Sequence, residues 1–276
     1  MPFRRYEVEQ EQDLKAIDRI YQALDDDEPE LALRIALDQI SRVGEDDPVL
    51  QFFAGKAWVE SGDPSRGLPY LKRATELDPE DLEFRSELGF ALLENGQSGE
   101  AAALARDLTR QAADFPDGHY LDGLIHELDG ATQVADDLYG IASRLDPEGY
   151  PPIRRLDSSR FEGLVEQAAG GLPEPFREHL DQVAVTVEPV VPAHLVEEGT
   201  SALDTLGLFT GTPLDRRGET GVMMDEPPRI LLFQRNLERF SALAGDLQEQ
   251  ITVTLYHELG HYLGMDEDDL DEAGFR

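Results

Sequence analysis

Prolines divide the first half of the chain at nearly regular steps. Pro48, Pro79, Pro116 and Pro147 stand 31 to 37 residues apart, and each interval is dominated by helix-forming residues. A step of that length holds two helices and their turns, which points to a repeat array. The clearest unit runs from Pro48 to Pro79, with Ala54, Gly55 and Trp58 on a first helix and Gly67, Leu71 and Ala74 on a second. Leu88, Gly89 and Leu92, then Ala101, Ala105 and Leu108, repeat the pattern. Leu121, Gly123 and Leu124, then Ala135, Tyr139 and Ala142, give it again before Leu145-Asp-Pro147. Small residues let the two helices of a hairpin approach, and large ones fill the groove to the next hairpin. The segment from Asp13 to Ile40 reads as a degenerate first pair or a cap.

These alternations resemble tetratricopeptide repeats, although the spacing is uneven and several consensus aromatics are missing. The resemblance implies stacked helical hairpins with a concave face for a peptide or protein partner. An ordinary helical bundle is the alternative.

The stretch from Asp146 to Ile153 is rich in breakers and sets a boundary between a helical repeat domain at 1–150 and a second domain at 155–276. Ser158-Ser159 is placed to cap a helix carrying Phe161, Leu164, Val165 and Ala168 and ending at Gly170-Gly171. Leu172 to Leu180 reads as a short helical turn, Val183 to Val187 as a β-branched strand, and Pro189 to Gly199 as a loop. Leu206 to Leu214 reads as a strand and turn, and Ile230 to Phe233 as a further strand. The fold class is therefore α+β overall: an all-α hairpin array followed by a small α+β domain.

The chemistry concentrates at Thr254 to Glu267. His257-Glu-Leu-Gly-His261 is an HExxH pattern on a helix that starts near Asp246, with Leu247, Ile251, Leu255 and Leu259 as its buried side. Two histidines four residues apart leave one helix face together and suit a single tetrahedral cation. Glu258 leaves beside that cation, where a general base for water belongs. Gly264 suits a left-handed helix end, which would return the chain and bring Glu267 to the metal as third ligand. A second pair, His126-Glu127, has Gly130 where the closing histidine would stand and reads as solvated helix surface.

Composition excludes several classes. The formal charge of −34 argues against nucleic acid and anionic membranes, both of which need basic patches. No cysteine is present, which rules out disulfides, thiolate metal sites and a cysteine nucleophile. No apolar run reaches the length of a membrane span, and the N-terminal MPFRRYEVEQEQD lacks the apolar core of a secretory signal. The cytosol of a prokaryote is the expected setting.

Residues from about Ser158 to Gly274 resemble the minimal zincin-like metallopeptidases, small bacterial domains compared with a matrix metalloprotease lacking its C-terminal subdomain. The resemblance is carried in order by Phe161 to Val165, Leu172 to Arg177, Val183 to Glu188, Leu206 to Leu214, Ile230 to Phe233 and His257 to Gly264 with its acidic continuation. It implies a Zn2+ cofactor held by His257 and His261, with Glu258 as catalytic base. Glu267 matches the position of the family's acidic third ligand, usually aspartate, with Asp266, Asp268 and Asp269 as rivals. Tyr256 and Tyr262 read as helix packing, Met223-Met224 as packing or loop residues, and Arg235 and Arg239 as residues that could edge the cleft. An extended peptide or protein substrate would pair with an edge strand, taken to be Ile230 to Phe233. Against this peptidase reading stands an adaptor with a structural or vestigial zinc site.

Overall fold

In a computed structural model the chain divides into two compact units, Met1–Leu145 and Asp146–Arg276. The structure describes residues 11–174, 176–197, 200–216, 227–267 and 269–270. Met223, Met224 and Asp268 lie outside them. Among the described residues no helix is long and apolar enough to cross a membrane.

Among the described residues the first unit has eight helices in four hairpins: α1 (Glu11–Asp25) with α2 (Pro29–Val43), α3 (Pro48–Glu60) with α4 (Pro64–Leu77), α5 (Leu82–Glu94) with α6 (Ser98–Gln111), and α7 (Pro116–Leu128) with α8 (Thr132–Leu145). Proline opens α2, α3, α4 and α7, where its missing N–H costs nothing. Asp47 adds a cap, its carboxylate accepting from the amides of Val49 at 3.0 Å and Leu50 at 3.1 Å. Pro69 lies inside α4, so proline here is not confined to segment ends.

The predicted small residues sit where helices touch. A Cβ on Gly55 would stand 2.6 Å from Leu71 Cγ, one on Gly67 2.6 Å from the Gly55 carbonyl, and one on Gly123 2.7 Å from the Tyr139 ring. Between hairpins the large residues stack, with Phe52 and Phe84 at 4.9 Å between ring centroids. One expectation fails: Glu127, taken as solvated surface, is 2% exposed. Of that pair only His126 reaches the surface, 3.8 Å from Asp122 one turn back.

The second unit packs helices on a three-stranded sheet. Its elements are α9 (Ser158–Gly171), α10 (Phe176–Leu180), β1 (Ala184–Glu188), α11 (Ala193–Glu197), β2 (Gly207–Thr210), a 3-10 turn at Leu214–Arg216, β3 (Arg229–Phe233), α12 (Gln234–Ala244) and α13 (Leu247–Leu263). The strand order is β1-β3-β2, with β1 parallel and β2 antiparallel to β3. This corrects the expected edge. β3 is central, and its unbroken apolar run Ile230-Leu-Leu-Phe233 is what a strand covered on both faces requires. Ile230 and Leu232 join Phe161, Ile251, Leu255 and Leu259 in the main core, while Phe233 packs with Val191 and Leu195 on the other face.

Two local details also differ from expectation. Asp157, not Ser158 or Ser159, caps α9, accepting from the Arg160 amide at 3.0 Å. The stretch read as a loop after Pro189 contains the five-residue α11.

Candidate metal centre

Helix α13 is set at both ends by local chemistry. The Asp246 carboxylate accepts from the amides of Gln248 at 2.7 Å and Glu249 at 3.2 Å, and Gly264 closes the helix at φ 91°. That left-handed conformation strains any residue with a Cβ. Ile251, Leu255 and Leu259 are fully buried, which turns His257 and His261 outward together. Their rings meet edge to face, with Nε2 of each 3.0 Å from the other.

The chain then doubles back. The Met265 amide donates to the Gly260 carbonyl at 3.0 Å, and Leu270, fully buried, seats against the bare Cα of Gly260. Asp266 and Asp269 tie the turn by exchanging bonds: Asp269 Oδ2 accepts from the Asp266 amide at 3.2 Å, Asp266 Oδ1 from the Asp269 amide at 3.0 Å. Among the described residues of the acidic run, Glu267 faces the imidazoles, 3.4 Å from His261 Nε2 and 3.9 Å from His257 Nε2.

His257, His261 and Glu267 thus offer three ligand atoms within 4.8 Å of one another. Two nitrogens bound to one tetrahedral zinc at 2.0–2.1 Å would stand roughly 3.3 Å apart, so this donor set fits a zinc-sized cation. Both imidazoles present Nε2, and His261 Nδ1 lies 3.3 Å from the Met265 carbonyl, a partner that orients the ring.

Glu258 points beside this triangle and is 6% exposed. Burial raises its carboxyl above the ordinary glutamate range, opposed by His257, by the Phe209 amide and by His261. The Phe209 N–H donates to Oε2 at 2.6 Å, across 49 residues of sequence. Gly207 makes this approach of β2 to α13 possible: a Cβ there would stand 2.6 Å from Thr254 Cγ2 and 3.0 Å from Glu258 Cγ. Neither Gly207 nor Phe209 was singled out from the sequence for this role. A glycine opening a short strand was the one available sign.

The remaining candidates are structural. Tyr256 packs edge-on against Phe176 at 4.9 Å, and Tyr262, fully buried, donates to Gln182 Oε1 at 3.3 Å. Arg239 does not edge the cleft: it is buried, donating to the Leu203 carbonyl and to Asn236 Oδ1 at 3.2 Å.

Residues 180–275 match the family model of the zincin-like metallopeptidases, and residues 59–124 that of the tetratricopeptide repeat. The second unit carries a zincin-like domain. Among solved structures, MamA 41-end from Desulfovibrio magneticus RS-1 is 23% identical with a TM-score of 0.43, covering 50% of this chain and 78% of its own. YrrB, described as a TPR protein with an unusual peptide-binding site, is 24% identical with a TM-score of 0.41, covering 47% of this chain and 66% of its own. No curated protein matches the chain.

Proposed function

We propose that the protein is a zinc-dependent peptidase whose zincin-like domain hydrolyses peptide bonds and whose helical repeats recruit a protein or peptide. His257, His261 and Glu267 would hold the zinc, and Glu258 would be the catalytic base. The supporting observation is the convergence of those three donor groups beside a buried carboxylate held by a strand amide. Zinc, when bound, supplies Lewis acidity that activates water and polarises a carbonyl. Glu258 takes the proton of the attacking water and returns it to the departing amine nitrogen. Its hydrogen bond to Phe209 holds one carboxylate oxygen and leaves the other to face the reacting atoms.

The substrate strand belongs on β2. The Phe233 amide donates to the Leu206 carbonyl at 2.9 Å, so alternation turns the amide groups of Leu208 and Thr210 toward β3 and those of Gly207 and Phe209 away from it. The outward edge borders Glu258, which already takes the Phe209 amide, so an extended peptide added there would pair through the Phe209 carbonyl and pass the metal centre.

Elemental analysis of the purified full-length protein, with Glu258→Gln assayed beside the parent, tests this reading. Zinc should be present in both proteins, and peptide cleavage only in the parent. Equal cleavage by the variant would remove Glu258 as base.

A further inference from the structure

A cleft of about 740 Å³ opens on the zincin-like unit away from the metal centre. The segment with Arg154 and Leu156 forms one side, Gly163 and Leu164 of α9 a second, and the start of α13 at Leu247 and Gln248 a third. Gln248 stands about two and a half helical turns before His257, so the two side chains leave α13 on opposite faces. The cleft is therefore separate from the metal ligands and from the edge of β2.

Two polar groups of its lining are left without partners. Arg154 is exposed, and among the described residues no ion pair or hydrogen bond holds its guanidinium. Gln248 donates through Nε2 to the Leu164 carbonyl at 3.1 Å, while its Oε1 is buried with no donor among the described residues. The other charges of the lining are already engaged. Arg160 is 3.3 Å from Asp157, and Glu238 accepts from the Leu156 amide at 3.0 Å and from Arg155 at 3.1 Å. Asp246 is spent on capping α13. In a chain of formal charge −34, the unmet demand here is for an anion and an N–H donor. Half-buried Leu156, Leu164 and Leu247 add an apolar wall beside both groups.

A carboxylate, an N–H and an apolar side chain on one carbon are the make-up of a polypeptide C-terminus. We propose that this cleft docks the C-terminal residue of a partner polypeptide. Its carboxylate meets Arg154, its amide N–H meets Gln248 Oε1, and its apolar side chain lies on the three leucines. A guanidinium matches a carboxylate through parallel, charge-assisted hydrogen bonds, which makes it the strongest selector in the cleft. An internal aspartate or glutamate carries its carboxylate further from the amide, and a free organic acid brings no N–H. The docking site does not depend on whether the metal centre cleaves peptides.

The test titrates isotope-labelled full-length protein with N-acetylglycyl-leucine, its C-terminal amide and isocaproate, read by backbone amide shifts. The peptide acid should move the resonances of Gly163, Leu164 and Leu247 and bind at least about tenfold tighter than the amide. Arg154→Ala should erase the difference between acid and amide, and Arg154→Lys should restore part of it. Gly163→Trp, whose side chain enters open space, should abolish binding in a protein that still folds. Equal affinity of acid and amide, or binding unmoved by Gly163→Trp, would overturn the site. Shifts confined to the surroundings of His257 and His261 would do the same, marking a carboxylate on the metal instead. Isocaproate binding as tightly as the peptide acid would overturn the polypeptide terminus and assign the cleft to free organic acids.

Discussion

In the repeat unit Gly55 and Gly67 let α3 and α4 meet along their backbones, and Gly123 admits the Tyr139 ring of α8. In the zincin-like unit Gly207 and Gly260 also mark close approaches, but what they admit is different. Gly207 brings a strand amide to the Glu258 carboxylate, and Gly260 seats Leu270 so that Glu267 turns back on its own helix. The first unit uses the missing side chain to build a stack whose neighbours are close in sequence. The second uses it to aim functional groups. A substitution of the same size should therefore cost stability in one unit and chemistry in the other.

Glu258→Gln should produce the largest change, lowering turnover by about 10²–10⁴-fold with zinc retained. Gly207→Ala comes next: displacing Glu258, the proposed base, by about 1 Å should lower turnover by on the order of 10²-fold, again with zinc retained by elemental analysis. Gly260→Val should instead weaken zinc binding by roughly 10–100-fold, measured by chelator competition, without moving the melting of the repeats. Gly55→Val is the converse, expected to destabilise the repeat unit by about 1–3 kcal/mol at unchanged zinc affinity. If Gly260→Val and Gly55→Val alter the same property, the contrast between the units is wrong.

The smallest effect concerns pH. Burial raises the carboxyl of Glu60, against the pull of Lys56, and burial with Asp81 nearby raises that of Glu83. Groups that bind protons more readily when folded favour the folded state at lower pH. Stability of the repeat unit should therefore rise as pH falls from neutrality through their raised pKa values toward the ordinary glutamate value of 4.5. Thermal melts of the parent and of a Glu60→Gln, Glu83→Gln double variant check this, the variant showing the flatter profile.

What the sequence disclosed follows how local each signal is. Helix α13 was legible from end to end, because Asp246 and Gly264 act on amides and dihedrals within a few residues of themselves. The nearness of Glu267 to the imidazoles was legible by distance along the chain from His257, although the exchange of backbone bonds that turns Asp266 and Asp269 to each other was not. The order of the sheet was out of reach: strand pairing joins segments far apart, and an apolar run such as Ile230 to Phe233 gives no edge.

Helix α12 escaped notice for two physical reasons. No side chain caps its start, and its polar residues look like solvated surface. They are buried because they hold other segments: Asn236 donates to the carbonyls of Ala202 and Thr205, and Glu238 accepts from the Leu156 amide and from Arg155. The buried Glu127 misled in the same way, being a charge whose surroundings no spacing rule reveals.

Gly207 has one further consequence. Sliding β2 by a single rung would carry Leu206 or Leu208 to the place where even a methyl group would press on Thr254 and Glu258. The phase of the strand is thereby locked by an atom that is not there, and added or deleted residues before it must be absorbed as slack in the preceding segment. The aim of the Glu258 carboxylate is protected against drift in the chain that leads to it.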